Sequence, residues 1–196
     1  MRTVQLWAQP WWVNLLILVP VVAFTAWRKK GILLSRRQLL FIAVFAAAFG
    51  FVEAAVVAYL RAAVGVLPGY HGTLADVRRS APEFYQQAQA LREFPESLLT
   101  IELFREAATI VMLISVALLA APRLRERSAI FVWAFACWDL SYYSCLWAIV
   151  RWPASLKDLD VLFLIPVPWV AQVWFPVLVS ILSLIAVAGC VTKKTV

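Results

Sequence analysis

Residues 98–121 read LLTIELFREAATIVMLISVALLAA. This run is long enough to cross a bilayer as a helix, because a hydrocarbon core needs about 20 apolar residues. It nevertheless carries Glu102, Arg105 and Glu106. Charge at membrane depth is costly, so such residues usually face a protein interior or a water-filled cavity and usually serve a function. The stretch therefore predicts a membrane helix with a functional site on one face.

The rest of the chain has the composition of an integral membrane protein. Of its 196 residues, 64% are hydrophobic and 15% are charged, and the mean hydropathy is +0.83. Soluble proteins are about half apolar and a quarter charged. We predict an all-α, polytopic transmembrane bundle that forms a single domain over residues 1–196. Its five spanning segments are predicted at about 11–27, 38–60, 98–121, 129–150 and 161–191.

The last predicted segment is too long for a straight span. At 1.5 Å per residue, 161–191 would reach about 46 Å, against a core of about 30 Å. Its first half also contains Pro166, Pro168 and Pro176. Irregular backbone at membrane depth is tolerated only inside protein or along a cavity. We therefore expect a broken or re-entrant piece at 163–176, or else a tilted helix kinked at these prolines.

Orientation follows from the Lys and Arg residues in the connections. Basic loops stay cytoplasmic, and one side of the predicted bundle has ten basic residues in short connections, against seven on the other side. We expect a multi-pass protein of the inner (plasma) membrane with its N-terminus outside and its C-terminus in the cytoplasm. The ten are Arg28, Lys29, Lys30, Arg36, Arg37, Arg123, Arg125, Arg127, Lys193 and Lys194.

The outer connection at 61–97 is the only sizeable polar segment. Turn residues mark its first half, and Pro82 to Phe94 reads as a short amphipathic helix with Phe84, Ala88 and Leu91 on one face. We expect this helix to lie on the membrane surface or over the bundle.

Segment four repeats the spacing of the charges in segment three. Its sequence Asp139-Leu-Ser-Tyr142-Tyr143 places one acid and two phenols on a single helical face, because residues three and four apart are neighbours. Segment two contributes Glu53. Counting inward at 1.5 Å per residue places all four acids between the outer interface and the midplane. We predict one shared, outward-facing site formed by Glu53, Glu102, Arg105, Glu106, Asp139, Tyr142 and Tyr143.

Charge balance limits what this site can bind. Four carboxylates and one guanidinium leave a formal excess of about three negative charges if all ionise, which protons or a bound cation would neutralise. A hard cation (Ca²⁺, Mg²⁺, Mn²⁺ or a monovalent ion) is possible at Glu53, Glu102, Glu106 and Asp139. No cofactor is required. Haem and zinc are not expected, since His71 is the only imidazole and Cys137, Cys145 and Cys190 lie in apolar segments.

Further polar residues are predicted at the outer rim: Arg61, Arg151-Trp152-Pro153, Lys157, Asp158 and Asp160. Arg and Trp are common interfacial anchors, which is one interpretation. The alternative is a phosphate or headgroup clamp above a carboxylate-bound metal.

Three functional hypotheses follow. The first is a membrane protein whose acidic site binds a cation, a proton or a small cationic solute for transport, sensing or delivery. The second is a non-catalytic subunit of a larger complex, in which the ionic network serves packing. The third is an intramembrane enzyme acting on a lipid or lipid phosphate. The expected partners are the lipid bilayer and a second copy or a membrane complex. Nucleic acid is not expected, because the basic residues concentrate at segment ends.

Overall fold

A computed structural model describes residues 7–63 and 96–192 of the chain. The protein is mostly helical (74%), and the described part has five α-helices, one 3₁₀ helix and one two-stranded sheet. The prediction of a helical bundle is confirmed. In chain order the elements are a 3₁₀ helix at Trp11–Ile17, α1 Leu18–Arg28, α2 Arg36–Ala63, α3 Glu96–Ala120, α4 Leu124–Val150, β1 Leu159–Phe163, β2 Trp169–Gln172 and α5 Trp174–Cys190.

Four helical stretches are long and apolar enough to cross a membrane. They correspond to the first four predicted segments and are Trp11–Arg28, Arg36–Tyr59, Leu98–Ala120 and Leu124–Val150. The fifth helix, α5, is apolar but has only 17 residues. The predicted surface helix at 82–94 lies outside the described residues.

The fifth predicted segment is interrupted where its prolines occur. β1 and β2 form an antiparallel hairpin, with Asp160 opposite Ala171 and Val161 opposite Val170. Pro166 and Pro168 lie in the connection between the strands, where the missing N–H is not required. Pro176 is the third residue of α5, and the first N–H groups of a helix have no intrahelical partner. The predicted break is confirmed, the kinked-helix alternative is wrong, and the strands were not predicted.

α4 is the central helix and packs against α2, α3 and α5, while α1 packs against α5. A stripe of small, buried residues at every fourth position of α2 faces it: Ala46, Gly50, Ala54 and Ala58. A Cβ on Gly50 would lie 2.7 Å from the Trp138 carbonyl oxygen and 2.9 Å from the Tyr142 nitrogen. Small residues allow this close approach of helix backbones.

The hairpin is attached to the N-terminal segment and to α4. Gln9 and Val170 exchange two backbone hydrogen bonds of 2.8 Å. The ring of Phe163 stacks on Phe135 of α4 with a centroid separation of 6.4 Å. The hairpin therefore lies against the side of the bundle that contains the predicted site.

At the opposite end of the bundle, the end of α1, the starts of α2 and α4 and the end of α5 lie close together. Ile32, between α1 and α2, donates to the Cys190 carbonyl at 2.8 Å and accepts from the Thr192 nitrogen at 3.0 Å. Leu33 lies within 3.5 Å of a Glu126 oxygen at the start of α4. Exposed basic residues flank these contacts: Arg28, Lys29, Lys30, Arg36, Arg37 and Arg123.

Candidate functional site

A cavity of about 660 Å³ lies between the helices and the hairpin. All seven residues of the predicted shared site line it, contributed by α2, α3 and α4. The helix faces that share one site in the prediction are therefore together in the structure. The seven are Glu53, Glu102, Arg105, Glu106, Asp139, Tyr142 and Tyr143.

Arg105 lies at the centre of an ion-pair network. Its guanidinium forms a bidentate pair with Glu102 on the same helix, with an Nε–Oε2 distance of 2.9 Å, and a second pair with Glu53 of α2. The Thr109 hydroxyl donates to the other Glu53 oxygen at 2.7 Å. The Glu53 side chain is 6% exposed and Arg105 is 23% exposed, so the network is shielded from solvent and joins α2 to α3.

Glu106 and Asp139 are bonded to neutral donors instead. The Leu164 N–H donates to Glu106 Oε2 at 2.8 Å, and the Ser180 hydroxyl donates to Asp139 Oδ2 at 2.8 Å. Both acids are 7% exposed. Neither has a salt bridge within the described part of the chain, and the second oxygen of each accepts no hydrogen bond from a described residue. Each thus keeps one carboxylate oxygen for a ligand or a proton.

Asp160 belongs to the cavity rather than to an outer rim. It is 1% exposed and accepts a hydrogen bond of 2.6 Å from the Tyr143 hydroxyl. Its place in β1 explains the difference from the prediction, because hydropathy places a residue along a segment but does not reveal that a hairpin folds back against α4.

The other rim residues have separate local roles. Arg151 stacks over the Trp147 ring at 4.5 Å, and Trp152 is 2% exposed within the core. Asp158 accepts the Ala154 N–H at 2.8 Å and so supports a turn, while Lys157 is exposed. The side chain of Arg61 lies outside the described part. Among the described rim residues, Asp160 alone lines the cavity.

Sequence reasoning missed much of the cavity wall. Three hydroxyl residues in apolar helices line it: Thr109, Ser180 and Ser183. Their spacing was a usable signal, because Thr109 lies one turn after Glu106 in α3 and the two serines lie one turn apart in α5. Two aromatic residues of the wall, Phe163 and Trp169, could not be placed at the site from the sequence, because they lie on the hairpin. Buried indole N–H groups of Trp138 and Trp169 at this wall have no hydrogen-bond partner among the described residues.

The charge of the cavity is strongly unbalanced. Five carboxylates line it, those of Glu53, Glu102, Glu106, Asp139 and Asp160, with Arg105 as the one basic side chain in the described lining. Within the described lining, the formal excess is therefore four negative charges if all ionise. Within residues 7–63 and 96–192, no group of three or more His, Cys, Asp or Glu side chains is placed to hold a metal ion.

Comparisons with known proteins assign no function to the chain, so the function is inferred from the geometry of the site. No family model matches the chain, and neither the curated proteins nor the solved structures provide a match.

Proposed function

We propose that this protein is a multi-pass membrane protein that binds a small, partly apolar organic cation in its cavity. The observation that carries the proposal is that two buried carboxylates outside the salt-bridge network, Glu106 and Asp139, share the cavity with apolar and aromatic side chains. Transport, sensing and delivery to a partner would each use such a site.

Hydropathy and charge support the membrane location and orientation. Four helical stretches are long and apolar enough to cross a bilayer, and the exposed basic residues concentrate at one end of the bundle. By the positive-inside rule that end is cytoplasmic. We propose that the N-terminus is outside, the C-terminus is inside, and the hairpin lies toward the outer face of the plasma membrane.

The cavity wall favours an organic cation. Its volume of about 660 Å³ lies within the range of about 300–1,000 Å³ that is usual for small-molecule sites. The rings of Trp138, Tyr142 and Phe163 line it, and aromatic faces attract cations such as quaternary ammonium groups. Carboxylates supply the charge, and apolar groups supply favourable burial for the rest of the molecule.

A matched pair of probes tests the proposal. Benzyltrimethylammonium and neopentylbenzene have the same shape and differ in charge, so thermal stabilisation of the purified chain by the first alone indicates cation recognition. Glu106→Gln and Asp139→Asn should each weaken binding of the cation about tenfold, or about 1.4 kcal/mol. Glu126→Gln is the control, because Glu126 is buried in the same helix as Asp139 but does not line the cavity. Equal stabilisation by both probes would contradict the proposal.

A non-catalytic subunit is the second candidate, and one observation favours it. Most of the carboxylates join separate elements: Glu53 joins α2 to α3, Glu106 joins α3 to the hairpin, and Asp139 joins α4 to α5. Such a network can serve packing alone. A chain that aggregates when purified alone, and whose variants change thermal stability but no ligand response, would support this candidate instead.

A further inference from the structure

A second apolar depression adjoins the cavity on the outside of the bundle. It has a volume of about 400 Å³ and lies between α1 and α4, with Leu18, Val22 and Trp27 among its lining residues. Every residue in its described lining is apolar. We call it the α1–α4 groove.

The groove and the cavity share two wall residues. Val19 of α1 and Val132 of α4 line both. Val19 is 41% exposed and Val22 is 62% exposed, so the groove opens on the apolar flank of the helices. The two shared residues, Val19 and Val132, therefore lie where the interior of the bundle meets its lipid-facing surface.

We propose that the ligand of the cavity is a single-tailed cationic amphiphile that enters from the bilayer. Its charged head lies at Glu106 and Asp139, and its hydrocarbon tail passes between Val19 and Val132 into the α1–α4 groove. The position of the head rests on the proposed function. The position of the tail rests on the two wall residues that the spaces share, Val19 and Val132.

The charge of the cavity and the wall that it shares with the groove favour this occupant over a partner protein. A helix from another chain is about 10 Å across and would cover the groove without reaching the cavity behind Val19 and Val132. An amphiphile has one part suited to each space, because carboxylates outnumber basic groups in the described lining of the cavity and the groove is lined by apolar side chains. Entry from the membrane also keeps the tail in an apolar environment throughout.

The test compares a tailed and a tailless cation in nanodiscs of zwitterionic lipid. Dodecyltrimethylammonium is the tailed probe and benzyltrimethylammonium is the tailless one, and identical lipid content keeps partitioning equal for all variants. Val19→Trp and Val132→Trp obstruct the junction from opposite walls. Val21→Trp is the control, since Val21 is on the same helix, 55% exposed, and lines neither space.

Both obstructing variants should bind the tailed probe at least about tenfold more weakly and the tailless probe within about twofold of the unmodified protein. Val21→Trp should change neither affinity. Val19→Phe replaces Val19→Trp if the larger residue lowers the melting temperature. Unchanged binding of the tailed probe in both variants overturns the proposal, as does equal weakening of the two probes. Failure of the proposed function is distinct, because Glu106→Gln and Asp139→Asn would then leave both probes unaffected.

Discussion

Arg105 balances two of the five carboxylates that line the cavity, those of Glu53 and Glu102. Glu106 follows it in sequence but points to the backbone of Leu164 instead. This distinction could not be read from helical spacing, which places all three charges of α3 on one face. It matters because removing one side of a buried ion pair leaves the other charge without compensation.

Arg105→Leu is therefore expected to destabilise the protein strongly. In soluble proteins the cost is about 3–5 kcal/mol, and membrane interiors give less because polar groups find other partners. Adding Glu102→Gln should recover part of the loss, with a coupling of about 1 kcal/mol or more in a double-mutant cycle of thermal stability. The pair Arg105→Leu and Glu106→Gln is the comparison and should couple less. Equal coupling in both cycles would mean that the ion pairs differ from those described.

At the scale of elements, the close contact of α2 with α4 holds the site together. Gly50 lies one turn before Glu53, and its missing side chain lets the α4 backbone approach at Trp138 and Tyr142. The sequence shows the stripe of small residues in α2, namely Ala46, Gly50, Ala54 and Ala58. It does not show that α4 is the helix against which this stripe packs.

Gly50→Ala should destabilise the protein by about 1–3 kcal/mol, as overpacking does, because the new Cβ would meet backbone atoms that cannot move aside. It should also weaken cation binding by displacing Glu53 from Arg105. Gly189→Ala is the matched control: this glycine is also helical, and the nearest atom to its Cβ position is 3.6 Å away on Phe24. Alanine there should be neutral or stabilising by about 0.5–1 kcal/mol. Thermal unfolding in detergent measures both, and a harmless Gly50→Ala would contradict the close packing.

For the molecule as a whole, two exposed basic residues beyond opposite ends of α4 make its orientation in the membrane testable. α4 separates an exposed Arg123 at one end from an exposed Lys157 beyond the other. Its 27 residues extend about 40 Å at 1.5 Å per residue, which exceeds the hydrocarbon thickness. The two positions therefore fall on opposite sides of a bilayer if α4 spans it.

Cysteine labelling checks this orientation in a background with Cys137, Cys145 and Cys190 replaced by alanine. A membrane-impermeant maleimide should label Lys157→Cys in intact cells and Arg123→Cys only after lysis, because the basic end is expected in the cytoplasm. The reverse pattern would invert the proposed topology and turn the hairpin side of the cavity toward the cytoplasm.

The sequence alone determined the helical class, the first four long apolar segments and the break at Pro166, Pro168 and Pro176. Hydropathy, prolines and charge act locally along the chain, so these elements can be predicted without knowing which segments are in contact in the folded protein. The same local signals identified seven of the residues that line the cavity, since charges in apolar helices are costly unless they face an interior.

The tertiary structure decided which groups these residues meet. The hairpin, the inward position of Asp160 and the bond from Leu164 to Glu106 depend on contacts between segments far apart in sequence. So do the salt bridge from Arg105 to Glu53 and the groove beside Val19 and Val132. Helical periodicity defines a face, whereas its neighbours are set by packing, and packing is decided by the shapes of all the segments together.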